Sequence, residues 1–185
     1  YDLEGHDLTS PAMRKVADQD GLLRKSFSLA NWRFLFLDSS VPGRVHGHLS
    51  QSELDWLENE LQTHADAHVG IALHHNPVAV GSAWLDAIGL RNGRSLLALL
   101  ERHPCVRLVL WGHIHQVYED ILNGVHLFAS PSTCIQFKPH SQSFALDELA
   151  PGYRRLRLFS DGTIETEVLR VDHIDFEVDL DSKGY

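Results

Sequence analysis

Apolar residues along this chain fall into short blocks separated by polar turns, and the period inside each block assigns its structure. Trp32 to Leu37, Val69 to Leu73 and Val106 to Leu110 are dense apolar runs of strand length, so each reads as a buried strand. Between the first two, Leu54, Leu57 and Leu61 recur at helical spacing with Trp56 beside them. Ser50-Gln51-Ser52-Glu53 ahead of them has the spacing of a capping box, which predicts a helix over 51–62. Ser95 to Glu101 is a second helical block. Strand, helix, strand, helix, strand is the order of parallel βαβ units, so the fold class is α/β.

Beyond residue 115 the pattern changes to hairpins. Glu119–Leu122 and Val125–Phe128 flank Asn123-Gly124, two residues that tolerate positive φ. Tyr153–Phe159 and Thr163–Val171 flank Ser160-Asp161-Gly162 as a second hairpin. Phe27–Leu29 is a short strand or connection, and Ser10-Pro11 opens a short helix toward Asp18. The long stretch from Pro77 to Asn92 reads as a loop of the kind that lines a site. The expectation is one domain over 1–185, with 172–185 a loose acidic tail.

Composition narrows the function. A net charge of -9 argues against a nucleic-acid or anionic-membrane surface, and no apolar run reaches membrane-spanning length. Two cysteines are too few for a disulfide framework and fit thiols in a reducing, cytoplasmic setting. Thirteen histidines are unusual, since protonating them all carries the charge from -9 to +4. They include His74-His75, at the end of one predicted strand, and Gly112-His113-Ile114-His115, just past the end of another. Parallel strands present ligands at their carboxyl ends, so two strands deliver imidazoles to one edge, where a shared polar or metal site is expected. Gly112 is placed where the backbone must turn sharply or approach a bound group. His46 and His48, in the loop before the first helix, read as rim residues.

LHHNP at 73–77, WGHIH at 111–115 and the hairpin that follows resemble the later half of the calcineurin-like metallophosphoesterases. FLDSSVPGRVHGHLSQSELDWLENEL, SAWLDAIGLRN and PSTCIQFKP narrow the resemblance to the class III cyclic-nucleotide phosphodiesterases that act on 3',5'-cyclic AMP. The resemblance spans about Phe34 to Leu169 and implies the C-terminal part of a four-layer α/β/β/α sandwich. It also implies hydrolysis of a small cyclic nucleotide by two divalent ions, Fe, Mn or Zn. His74 and His113 then match ligands of one ion and His115 a ligand of the second. His75 lies behind them, and His6 matches the histidine that assists cleavage. Asn76, Asn92 and Thr133 fall around the substrate.

Two departures shape the expectation. The family's Asp-x-His and Gly-Asp motifs are absent, and its Gly-Asn-His-Asp motif stands as Glu4-Gly5-His6-Asp7 without the Asn. The chain also opens at Tyr1. An incomplete domain with a compromised site is therefore expected, with self-association through uncovered apolar surface. The alternatives are a non-catalytic domain that binds or assembles with another protein, and a phosphodiesterase for another small phosphodiester.

Overall fold

The structure, a computed structural model, describes residues 25–171 and 178–180. The sequence expectations for His6 and for a helix after Pro11 lie outside the described residues. Six strands form the main sheet in the order β1-β2-β3-β4-β6-β5. They are β1 (Ser26–Leu29), β2 (Trp32–Phe36), β3 (His68–Leu73), β4 (Val106–Trp111), β5 (Tyr118–Leu122) and β6 (Val125–Ala129). The inner four strands, β2, β3, β4 and β6, run parallel, while β1 and β5 are antiparallel edges. Asn123 and Gly124 both have positive φ, 52° and 83°, as the turn between β5 and β6 requires.

Helix α1 (Gln51–Thr63) joins β2 to β3, and α2 (Ala83–Asp86) and α3 (Gly93–Leu100) join β3 to β4. Ser50 caps α1 by accepting the Glu53 N–H at 3.1 Å. The Glu53 carboxylate does not close the box. It accepts instead from the Asp38 N–H at 3.0 Å and from the Lys25 ammonium at 2.6 Å, whose charge strengthens the bond and draws the carboxylate away from the cap. Helix α3 starts two residues earlier than its leucines suggest. Gly93 lets the helix abut β3's exit, where a Cβ would lie 2.2 Å from the Pro77 carbonyl oxygen.

Strand alternation sorts the side chains onto two faces. Leu35, Ile71, Val109 and Leu127 meet Leu57 and Leu61 of α1 and Leu96 and Leu99 of α3 in the main core. On the other face Trp32, Phe34, Leu108 and Phe128 pack against Leu156, Leu158 and Ile164 of a separate two-stranded hairpin, β9 (Gly152–Leu158) and β10 (Ile164–Arg170). Helices, main sheet and hairpin make successive α/β/β layers, with β7 (Gln136–Phe137) and β8 (Leu146–Asp147) as a small third sheet. Arg154 pins the hairpin down. It donates to the Ala129 carbonyl through Nε at 3.1 Å and Nη2 at 3.0 Å, reaches Glu119 and Thr166 through Nη1, and lies over the Phe128 ring. Within the expected loose tail, Val178 packs against the main core, since an apolar side chain gains more there than in water. No helix among the described residues is long and apolar enough to cross a membrane.

Candidate metal centre

The ends of β3 and β4 lie side by side, and the Gly112 N–H donates to the His74 carbonyl at 3.2 Å to bind them together. Beyond that link the chain turns at the histidines and not at Gly112. His113 has φ 57° and His115 has φ 48°, both left-handed, whereas a Cβ on Gly112 would meet nothing nearer than 3.9 Å. Each such residue costs about 1–2 kcal/mol. Ile114 between them is fully buried in the main core, and burying it contributes about 1.5–3 kcal/mol against that strain. The apolar side chain goes in, and the two flanking imidazoles are turned out over the strand ends.

Three rings gather there. His74 meets His113 at 5.0 Å between centroids, and His75 lies 4.8 Å from His74 and 4.7 Å from His113. Their candidate ligand nitrogens fall within 4.8 Å of one another. His75 is not free to ligate. Its Nε2 bonds the Val45 carbonyl at 3.0 Å, and a carbonyl only accepts, so Nε2 carries the proton. Its Nδ1 then accepts from the Ser39 hydroxyl at 2.8 Å. Both ring nitrogens are spent inside the protein, which makes His75 a fixed wall behind the other two.

His74 and His113 differ. His74 Nε2 and His113 Nδ1 face each other at 3.1 Å. Two nitrogens at that separation subtend about 95° at an ion about 2.1 Å from each, close to the angle between adjacent ligands of an octahedron. The His113 Nε2 is buried and has no hydrogen-bond partner among the described residues. His115 stands apart from this group. Its ring lies flat on Phe137, 4.3 Å between centroids and 5° between planes, and its buried Nδ1 has no hydrogen-bond partner among the described residues.

Protonation favours ligation. Burial first, then the neighbouring His74 charge, lowers His75 to about 4 against the pull of the Val45 carbonyl. Burial, then His75, His74 and His115, lowers His113 to about 3. Burial also lowers His74 and His115, although the solvent-open face of His74 tempers the effect. All four imidazoles are therefore neutral at pH 7, the form a metal needs. Among the described residues no carboxylate joins the group.

The other predicted site residues have definite places. Asn92 commits its whole amide to Leu49, accepting the N–H at 3.0 Å and donating to the carbonyl at 2.8 Å. Buried Asn76 donates to the Val78 carbonyl at 2.9 Å, and its Oδ1 has no partner. Thr133 is exposed. His46 approaches His75 closely enough to affect its charge, while His48 is exposed on the rim. Sequence reasoning missed Ser39 and Val45, whose partnership with His75 spans about thirty residues and leaves no local pattern. It also missed the contact between Phe137 and His115, although the PSTCIQFKP stretch was singled out.

No protein-family profile matches the chain. Among curated proteins it is 47% identical over 180 residues to the 3',5'-cyclic adenosine monophosphate phosphodiesterase CpdA of Pseudomonas aeruginosa, covering 97% of this chain and 66% of that protein. It is 43% identical over 185 residues to the CpdA of Escherichia coli K12, covering 99% of this chain and 67% of that protein. A 3',5'-cyclic-nucleotide phosphodiesterase of Nostoc is 44% identical, covering 94% and 65%. The chain thus spans about two thirds of the length of these relatives. Among solved structures, a dimetal phosphatase from Danio rerio matches with a TM-score of 0.50 and 20% identity, covering 78% of this chain and 59% of that one, which supports the fold. With a sheet edge that gathers imidazoles and this degree of identity along nearly its whole length, the chain belongs to the family of 3',5'-cyclic adenosine monophosphate phosphodiesterases, on the calcineurin-like metallophosphoesterase fold.

Proposed function

We propose that the chain hydrolyses the phosphodiester of 3',5'-cyclic AMP to AMP at a two-ion site over the ends of β3 and β4. The observation that carries this reading is the His74–His113 pair, two neutral nitrogens 3.1 Å apart that fit one ion. Divalent ions, when bound, supply positive charge against the phosphate and acidify water for attack. The remaining work belongs to the chain. His74 and His113 hold the first ion, His115 reaches toward the second, and His75 keeps the pair apart from the loop behind it. His6 is assigned the assisting role at the scissile bond. Exposed Thr133 is open to a substrate, whereas Asn76, buried and bonded to Val78, and Asn92, bonded to Leu49, shape the surroundings. Imidazole suits Zn, Mn or Fe alike. We infer a cytoplasmic setting from the two free thiols, Cys105 buried and Cys134 exposed.

The test is turnover of cyclic AMP by the purified chain with added Mn²⁺, followed by chromatography of AMP. His113→Ala is expected to abolish it, and unchanged turnover would contradict the assignment. One observation favours a second reading, a domain that binds ions weakly and turns over little. The donors gathered among the described residues are all neutral, and neutral donors leave the charge of two neighbouring ions uncompensated. Ion binding without hydrolysis of cyclic AMP, cyclic GMP or bis-p-nitrophenyl phosphate would support that reading.

A further inference from the structure

His115 has the least support of the site histidines from its own strand, because it lies beyond the end of β4 in a left-handed conformation, φ 48°. Its orientation comes from another part of the chain. Phe137 donates its backbone N–H to the His115 carbonyl at 3.2 Å and lays its ring under the imidazole, 4.3 Å away and within 5° of parallel. Phe137 is itself immobilised. It is buried, with Trp84 against it at 5.0 Å and Phe144 at 5.5 Å, both edge-on, and those two rings touch each other at 5.3 Å. Its neighbour Gln136, also buried, staples the loop ahead of it: Oε1 accepts the Ser132 N–H at 3.1 Å and Nε2 donates to the Ser132 carbonyl at 2.8 Å. Pairing of Phe137 with Leu146 closes the arrangement.

A flat stack of this kind permits an imidazole only two orientations, related by a half-turn of the ring. The one adopted buries Nδ1, which leaves Nε2 to meet an ion.

We propose that Phe137, backed by Trp84 and Phe144, is a positioning residue that holds the His115 imidazole in its ion-facing orientation. The QFKP part of the PSTCIQFKP stretch thus acts through His115 and not by touching substrate. The proposal rests on the two-ion reading above. Groups behind metal-ligating histidines typically change metal affinity by about 10- to 100-fold, and an effect of about 10-fold is expected here.

The test follows the histidine ring nitrogens of the full chain by ¹⁵N NMR during titration with Zn²⁺. In the wild type the His74, His113 and His115 nitrogens should shift. In Phe137→Met the His74 and His113 shifts should persist, while His115 should need about 10-fold more Zn²⁺. Phe137→Tyr, which keeps a ring to stack, should restore the response. An unaltered His115 response in Phe137→Met overturns the proposal and leaves the two-ion reading standing. A wild type in which His74 and His113 do not respond overturns the reading and the proposal with it. Leu158→Ala controls for stability, since it loosens the packing of the hairpin on the sheet, away from this aromatic group. A His115 defect of equal size in that variant would reduce the effect to general loosening and overturn the positioning role.

Discussion

Gly47→Ala isolates the contact on which the wall behind the metal pair depends. A Cβ at residue 47 would lie 2.4 Å from Cγ and Nδ1 of His75 and 2.8 Å from its Cβ, well inside any tolerable approach. Neither side can yield freely. The Gly47 N–H is bonded to the Gly89 carbonyl at 3.2 Å and its carbonyl accepts the Arg91 N–H at 2.9 Å, so the loop is held in place. The imidazole must then move and abandon Ser39 and Val45. Two hydrogen bonds at about 1 kcal/mol each, with overpacking of about 1–3 kcal/mol, predict a loss of about 3–5 kcal/mol. Gly47 is not left-handed, so the methyl brings no backbone penalty of its own. Urea unfolding at pH 7.5 in EDTA measures the loss as a lower midpoint at unchanged slope. In a His75→Gly background all three of those atoms are gone, and the same Gly47→Ala change should cost less than about 0.5 kcal/mol. A cost that stays the same in both backgrounds would refute the steric argument.

Two further outcomes follow from groups already described. Arg154→Met should destabilise the chain by about 2–3 kcal/mol by orphaning the Ala129 carbonyl and losing the stack on Phe128, with calorimetry as the check; a change below about 0.5 kcal/mol would remove the pin between hairpin and sheet. His75, lowered to about 4, and His113, lowered to about 3, take up protons less readily folded than unfolded, where a histidine titrates near 6.5. Their contribution is therefore complete above pH 6.5 and is lost as the pH falls toward 4 and then 3. For His75 alone the slope is up to about 1.4 kcal/mol per pH unit, and stability in EDTA that stays level from pH 6.5 to 5 would contradict it.

Where a pattern was local, the sequence was enough to read it. The parallel strands, the helix capped by Ser50, the turn at Asn123-Gly124 and the arrival of His74 and His113 at one edge all follow from alternation, spacing and strand polarity. What was hidden is nonlocal or sterically decided. The capping carboxylate of Glu53 went to Lys25 and Asp38 because tertiary structure brought them near. The short helix at Ala83–Asp86 sits inside a stretch with too few residues to show a period. Gly112 looked like the turning point, yet the left-handed residues are His113 and His115, because burial of Ile114 between them offsets much of their strain. Asn92 looked available to a substrate, and only the fold reveals that Leu49 occupies both ends of its amide.

The most direct measurement is the anomalous scattering map of a crystal of this chain soaked in Zn²⁺ or Mn²⁺. The account predicts a peak about 2.1 Å from both His74 Nε2 and His113 Nδ1, with the His75 ring still bonded to Ser39 and Val45. A peak that touches only one of the two, or that has drawn His75 out of its hydrogen bonds to become a ligand, would contradict it.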